Sequence, residues 1–435
     1  MTGAESLAEG LGSGLTLGPG ANESVVSPVR TVPRLKVLFF SEPFVYPPDT
    51  GGKIRTSQML RRLRDIFDIT LVSHVHPVRD ARHVGQMRPL CNEFHPVFRS
   101  TVPKYSLLFY LKVLMRSLSR YPVIVVNDYS RRTVNTLREL LTRRRYDLLV
   151  CDFLQPTINL WRLQRPPTLL FQHNVESKIL ERHYRTASNP LLRLFWRLQW
   201  RKLVRYEQLA CGRLDGVVAV SDVDKRTLER DLGARNVFSI PTGVDTAFFR
   251  PVAEPPEDGR LVFMGAMDWL PNEDGILFFA DEVLPHLRTM WPGVQLTVVG
   301  RNPSRHLRAR LQPHPEIEVV GRVEDVRPYV ARGAVFVIPL RIGGGTRIKA
   351  FEAMAMGKAV VSTRIGVEGL PVRDGETAVL ADDPRQFAAA TARLLTNTAE
   401  RERIERNARA YVVDHASWET AASAFADICV RVARG

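Results

Sequence analysis

The chain has 435 residues, 45% of them hydrophobic and 25% charged, a size and balance that suit a soluble globular protein of two domains rather than a single core. Lys and Arg number 61 against 46 Asp and Glu, and this formal charge of +15 suits an anionic partner (nucleic acid, acidic lipid or phosphorylated substrate) without choosing among them. The four cysteines, Cys91, Cys151, Cys211 and Cys429, form no CxxC pair, which argues against a zinc site or a disulfide framework and fits a reducing compartment; no apolar run approaches the roughly 20 residues that span a bilayer.

Residues 1–33 hold Gly, Ser, Glu and Thr without a basic start or an apolar block, so they read as a disordered tail and not as a signal peptide. Leu35 to Phe40 is a first buried strand. Gly51 and Gly52 follow it and open a helix near Lys53 that turns Met59, Leu60 and Leu63 inward. This glycine loop is either a plain Pro/Gly turn or a loop that faces an anion, with Gly51, Gly52, Lys53 and Arg55 the residues in play. Ile69–Val72 and Asp147–Asp152 read as strands, and Tyr105 to Arg120 alternates apolar blocks with Lys112, Arg116 and Arg120. Thr168 to Asn174 is a strand whose end carries His173, where an open parallel sheet places its ligand cleft.

Arg193, Arg197, Arg201 and Arg205 recur every four residues, which on a helix makes one stripe of mutually repelling charge. Trp196 and Trp200 flank the stripe, and Leu191, Leu194, Phe195 and Leu198 form an apolar face. Two readings stay open: an ordinary domain helix, or a basic amphipathic helix that lies on an anionic membrane surface. Gly216–Ser221 is a strand, and the Asp222-Val223-Asp224 triplet after it reads better as a helix start capped by Ser221 or Asp222 than as a metal site. Pro251 to Gly259, rich in Pro and Glu, is the linker candidate. The pattern then restarts with strands at Leu261–Gly265, Gln295–Gly300 and Ile317–Gly321, a helix over 272–287, and helices from Asp382 onward.

The most informative stretch is Ile338 to Thr363, entered from the strand Val335–Ile338: Gly343-Gly344-Gly345, Thr346 as a helix N-cap, a helix carrying Ile348, Phe351, Met354 and Ala355 inward, Gly357 as a left-handed cap, and the strand Ala359–Val361. A glycine loop entering a helix exposes backbone N–H groups to an anion, and Arg347 and Lys349 add fixed positive charge there. Glu352 is then a lone carboxylate in an apolar helix, paired either with Lys349 or with a ligand.

This stretch resembles the sugar-nucleotide motif of the retaining GT-B glycosyltransferases of glycosyltransferase family four, in its glycine-rich subgroup. Glu352-Ala353-Met354-Ala355 matches the family's EAMA helix, whose glutamate binds the ribose. A second family glutamate, facing the donor sugar, is replaced here by Gly344. His173 in HNVES, the IPTGVD segment ending at Asp245, and Ser417-Trp418 also match. The resemblance implies two doubly wound Rossmann-like α/β domains facing each other across a cleft, with a C-terminal helix crossing back. The implied boundaries are an acceptor domain over 34–250, a linker over 251–259, a donor domain over 260–412 and a crossing helix over 413–435.

It further implies transfer of a sugar from a nucleoside-diphosphate sugar to a lipid-linked or saccharide acceptor, with retention, no cofactor and no essential metal. His173, Arg347, Lys349 and Glu352 would be the catalytic group. Gly51, Gly52, Lys53, Arg55, Gly265, Arg301, Arg322, Gly343, Gly344, Gly345 and Thr346 would bind substrate. The setting would be the cytoplasm, peripheral on the inner face of the membrane, with no nucleic-acid partner. A nucleotide-sugar epimerase on the same fold and a basic nucleic-acid binder remain as the alternatives.

Overall fold

The computed structural model describes residues 34–48, 50–100, 106–187, 189–342 and 347–435; residues 1–33 and Gly343 to Thr346 lie outside the described residues. Runs such as VLFF, LLVC and VVA are apolar at every position, the pattern of strands covered on both faces, and they build parallel sheets. The first sheet has seven strands: β1 (Lys36–Ser41), β2 (Asp68–Val75), β3 (Glu93–Phe98), β4 (Leu148–Asp152), β5 (Thr168–Phe171), β6 (Gly216–Ala219) and β7 (Val237–Ser239). All pair in parallel in the order β3-β2-β1-β4-β5-β6-β7, with Leu38 beside Leu149 and Phe39 beside Val150 at the centre. The helices that matter below are α1 (Gly51–Ile66), α2 (Leu107–Ser117), α3 (Glu176–Thr186), α4 (Pro190–Arg213) and α5 (Asp222–Leu232).

The second sheet has six parallel strands, β8 (Arg260–Met264), β9 (Gln295–Val299), β10 (Ile317–Gly321), β11 (Val335–Ile338), β12 (Ala359–Ser362) and β13 (Val379–Leu380), in the order β10-β9-β8-β11-β12-β13. Helices α6 (Ile348–Ala355), α7 (Thr398–His415) and α8 (Trp418–Arg434) complete the chain. Strand order reverses between β1 and β4 in the first sheet and between β8 and β11 in the second, so each Rossmann-like domain has a crevice at the carboxyl ends of those strands.

Most local expectations hold. Met59, Leu60 and Leu63 are buried under α1. Ser221 caps α5 by accepting the Asp224 N–H at 3.0 Å, so the DxD triplet is a helix start. Gly357 has φ 68° and closes α6 in a Schellman turn, with Gly357 N–H donating to Met354 O and Lys358 N–H to Ala353 O. Some features differ, the short strand β7 and the helix α2 among them. β3 was not among the expected strands; it contains Pro96 and stands at the sheet edge, where a missing N–H is tolerated. β13, two residues long, is too short to leave a pattern. The helix over 272–287 runs instead from Leu270 to Met290 with a π-helical turn at Phe279–Val283, where Pro285 cannot donate to the turn before it.

The two domains are joined by two chain crossings that bind each other. Val244 N–H donates to Ala416 O at 2.8 Å, and Trp418 N–H donates back to Val244 O at 3.3 Å. From there α8, capped by Ser417, packs across the first domain, with Phe425 against Phe171 at 4.9 Å between ring centroids. The Trp418 indole lies against Gly243, so close that a Cβ there would overlap its ring and backbone. The family-like segments IPTGVD and SW are therefore one contact in space.

Trp418 is 2% exposed. Trp418→Ala should cost about 3–5 kcal/mol of stability by opening a cavity at the crossing, measured as a lower urea midpoint with the slope unchanged.

Candidate functional site

On the first domain the site grows from the end of β4. Asp152 has no solvent exposure and gathers three donors. Its Oδ2 accepts from Ser41 Oγ at 2.7 Å and Thr56 Oγ1 at 2.9 Å, and its Oδ1 meets His173 Nε2 at 2.6 Å. His173 Nδ1 lies 3.3 Å from Arg55 Nη1, and Arg55 Nη2 donates to Thr242 Oγ1 at 3.3 Å. A guanidinium can only donate, so Nδ1 is the acceptor and the proton sits on Nε2, aimed at Asp152. Burial holds the His173 pKa below its ordinary value; the adjacent Asp152 opposes this and Arg55 adds to it. Phe153, held at φ 72°, stacks on the imidazole at 4.0 Å, and Gly52 is bare because a Cβ would stand 2.7 Å from that phenyl ring.

This arrangement settles where the first group of expected residues lies. Gly52, Arg55 and His173 come together, but Arg55 and His173 are turned into the protein, and both imidazole nitrogens are engaged there. The Arg55 guanidinium is drawn down to about 10 by burial. Lys53 is half-exposed and donates to Pro47 O at 3.4 Å.

On the second domain the floor is made of glycines. A Cβ on Gly300 would overlap the Gly265 carbonyl, and one on Gly265 would lie 2.7 Å from both Asn272 Nδ2 and Lys349 Nζ. Asn272 organises this floor: its Nδ2 donates to Ala266 O at 2.7 Å and its Oδ1 accepts from Lys349 Nζ at 2.7 Å. Lys349 also lies over the Phe263 ring at 4.5 Å. Burial draws the Lys349 pKa down to about 7, with Arg347 pushing the same way, and burial raises that of Glu352 to about 7, opposed by Lys349. Arg301 stands just past β9 with Nε 3.6 Å from Asp268, and Arg322 is exposed past β10.

The two halves face each other. A Cβ on Gly51, at the start of α1, would be 3.9 Å from Cδ1 of Ile348, the first residue of α6. Beside this approach is a cavity of about 280 Å³, lined from the first domain by Asn174, Arg182, Ser221 and Thr242 and from the second by Arg347 and Glu368. Glu368 lies 3.3 Å from Arg182 and 4.0 Å from Arg347, an ionic bridge across the cavity. The expected Gly343, Gly344, Gly345 and Thr346 lie outside the described residues, and Arg347, next in the chain, borders the cavity. Among the described residues no group of three or more His, Cys, Asp or Glu is arranged to hold a metal ion.

Asp152, Thr242, Asn272, Arg182 and Glu368 were not singled out from the sequence. Asp152 could have been, since it ends a buried strand at the switch point. So could Glu207 only in space: this fully buried carboxylate accepts the Glu176 and Ser177 N–H groups at 2.9 and 3.1 Å and anchors the start of α3 behind His173.

Comparison with known proteins agrees with this architecture. A family profile described as Glycosyltransferase Family 4 matches residues 102–248, and one described as Glycosyl transferases group 1 matches residues 258–397, together about two thirds of the chain. The chain is similar to the phosphatidyl-myo-inositol mannosyltransferase of Mycobacterium tuberculosis, 31% identical over 226 residues, 48% of this chain and 58% of that protein. The match thus spans little more than half the length of that relative. An uncharacterized 44.6 kDa protein in the cps region of Klebsiella pneumoniae is 20% identical over 402 residues, 87% of this chain and 96% of that one. Among solved structures, sucrose-phosphate synthase from Thermosynechococcus elongatus superposes with a TM-score of 0.69 at 19% identity, covering 92% of this chain and 99% of that one. HepE from Anabaena, solved with UDP, gives 0.66 at 14%, covering 91% and 100%. These likenesses establish a shared GT-B fold.

Because the folded protein keeps His173 neutral, acid must charge a group the fold resists charging. That stability component is complete above about pH 6.5, the ordinary histidine value, and is lost as pH falls below it. His173→Gln should therefore flatten the acid limb of a stability–pH curve measured by urea unfolding, while leaving the slope near pH 8 unchanged.

Proposed function

We propose that this chain, whose two halves match the profiles of glycosyltransferase family 4 and of the group 1 glycosyl transferases, moves a sugar from a nucleoside diphosphate to an acceptor hydroxyl with retention of configuration. In this reading the bond from the anomeric carbon to the diphosphate breaks and one to the acceptor oxygen forms. The acceptor proton leaves with the departing phosphate oxygen. The leaving group is already good, so the protein must position the partners and stabilise charge growing on the diphosphate.

One observation carries the proposal. The start of α6, with Arg347 as its cap, Lys349 in its first turn and Glu352 in its second, stands over a glycine floor, and its first residue lies a side chain's width from the glycine start of α1. The bare backbone at Gly265 and Gly300 lets a diphosphate approach. Lys349 and Arg347 supply positive charge, which favours transfer without an essential metal, and Glu352 holds the ribose hydroxyls. Gly343 to Thr346 would complete the phosphate cradle. His173 acts through Arg55 and Thr242 as a positioning residue on the acceptor side of the anomeric carbon. The family's sugar-facing glutamate is absent at Gly344, and in this reading Glu368, which pairs with Arg182 and Arg347, takes over the contact with the sugar hydroxyls. A lipid-linked acceptor, met at the cytoplasmic face of the membrane, is supported by the name of the mannosyltransferase relative, and a uridine nucleotide by the ligand solved with HepE.

A thermal-shift panel of nucleotide sugars, followed by transfer assays on membrane lipid extract, tests the reading. One donor should raise the melting temperature, and Glu352→Ala should lower kcat/KM for it by about 10- to 100-fold. Turnover untouched by that substitution, or donor consumption that needs no acceptor, would overturn the proposal; the second result would favour an epimerase.

The titration of Lys349 near neutrality gives a further expectation. A bound diphosphate favours the ammonium form, so donor affinity should fall on the alkaline side of pH 7, by up to about tenfold per pH unit. Lys349→Arg, charged throughout, should remove that fall when binding is followed by calorimetry.

A further inference from the structure

Helix α2 reads LLFYLKVLMRS, and none of its eleven residues is buried. At about 100° per residue, Leu107, Leu111, Leu114 and Leu118 fall on one stripe, with Leu108 and Met115 beside it. Leu107 and Leu118 are each 86% exposed, and Leu114 and Met115 each 65%. A contiguous apolar face of this kind, left in water, marks a contact surface. Lys112 and Arg116 follow at one margin, and Arg120 lies just beyond the helix.

The face continues onto α4. Lys202 Nζ donates to Ser117 O at 2.6 Å and to Ser119 O at 2.7 Å, so α2 ends against α4 one turn from Leu198. Leu191, Leu194 and Leu198 are exposed there, and so are Arg197, Arg201 and Arg205. The tryptophans expected to anchor this helix do not share the surface. Trp196 stacks on His183 at 4.9 Å and Trp200 on Tyr184 at 5.8 Å, so both serve the packing of α4 on α3. The outward face is leucine, edged by arginine and lysine.

Its position relates it to the cleft. Arg99, just past the carboxyl end of β3, and Arg116 of α2 both bond to Asn127. The neighbouring Asp128 carboxyl is pushed well up by burial and by Glu42, which follows β1, and Glu176, which opens α3. The leucine face thus stands at the β3 edge of the first sheet, on the side of its strands' carboxyl ends.

We propose that α2 and the outer side of α4 dock on an anionic lipid bilayer, the leucines entering the acyl boundary and the arginine row meeting acidic headgroups. Charge selects this occupant. A second copy would set one arginine row against another in a chain of net charge +15, and a nucleic acid would leave the leucines in water. Docking there would present a lipid-linked acceptor to the cleft without extraction from the membrane. The surface stands independently of the transferase reading.

The test is co-sedimentation of the full chain with phosphatidylcholine vesicles, with and without phosphatidylglycerol, and with no nucleotide sugar present. Binding should require the anionic lipid, weaken in high salt, and drop about tenfold or more in a Leu111→Ser, Leu114→Ser double variant. A second variant, Arg197→Glu with Arg201→Glu, should lose the lipid-charge preference. Both carry changes at exposed positions, and an unchanged urea-unfolding midpoint would show the fold intact. Equal binding by the leucine variant overturns the proposal, as does a concentration-dependent dimer that forms without vesicles and is lost in that variant, or capture by an oligonucleotide in place of vesicles.

Discussion

The indole of Trp418 rests on Gly243 where the chain passes from one domain to the other, and the geometry of the cleft depends on that contact. Each sheet has its own core, and neither core fixes how the carboxyl ends of β1 and β4 face those of β8 and β11. The paired crossings at Val244 and Ala416–Trp418, with α8 laid back across the first domain, impose that relation. A glycine is required because any side chain would occupy the volume of the indole, and the large apolar ring excludes water from the two backbone hydrogen bonds beside it.

Within the cleft, buried charge is arranged in two unlike ways. The Asp152, His173 and Arg55 chain is satisfied from within: donor and acceptor alternate, and the neutral imidazole lies between two ions of opposite sign. Such a network fixes a single arrangement of the strand ends and leaves little for a ligand to do. Lys349 and Glu352 are the opposite case. Burial pulls both toward neutrality from either side, one is held by an amide rather than by a carboxylate, and the floor around them is bare backbone. A diphosphate and a ribose would restore the solvation that burial removes. The Glu368 bridge to Arg182 and Arg347 lies between these cases, with ionic partners on both domains that a ligand entering the cavity must exchange.

The outer surface follows the same logic at larger scale. Arginines at four-residue spacing on α4 and leucines on α2 are each unfavourable alone in water, and they lie next to each other where α2 ends against α4. A boundary that is apolar below and anionic above relieves both.

Much of this was legible in the sequence for a physical reason. Parallel strands covered on both faces must be continuous apolar runs, so the interior strands from β1 to β12 announce themselves, and a helix cap must be glycine where the backbone turns left-handed, as at Gly357. The EAMA helix and the glycines at Gly51 and Gly265 were visible because bare backbone has no other residue type to use. What the sequence could not carry is any relation whose signal is split between distant segments. Asp152 with His173, Asn272 with Lys349, and Arg182 with Glu368 look like ordinary polar residues until folding brings them within hydrogen-bond or ionic reach. The same holds for orientation: Arg55 and His173 read as ligand-facing and are turned inward, and Trp196 and Trp200 read as surface anchors and pack on α3, because a helix of known period still has two sides and only its neighbours decide which one is covered.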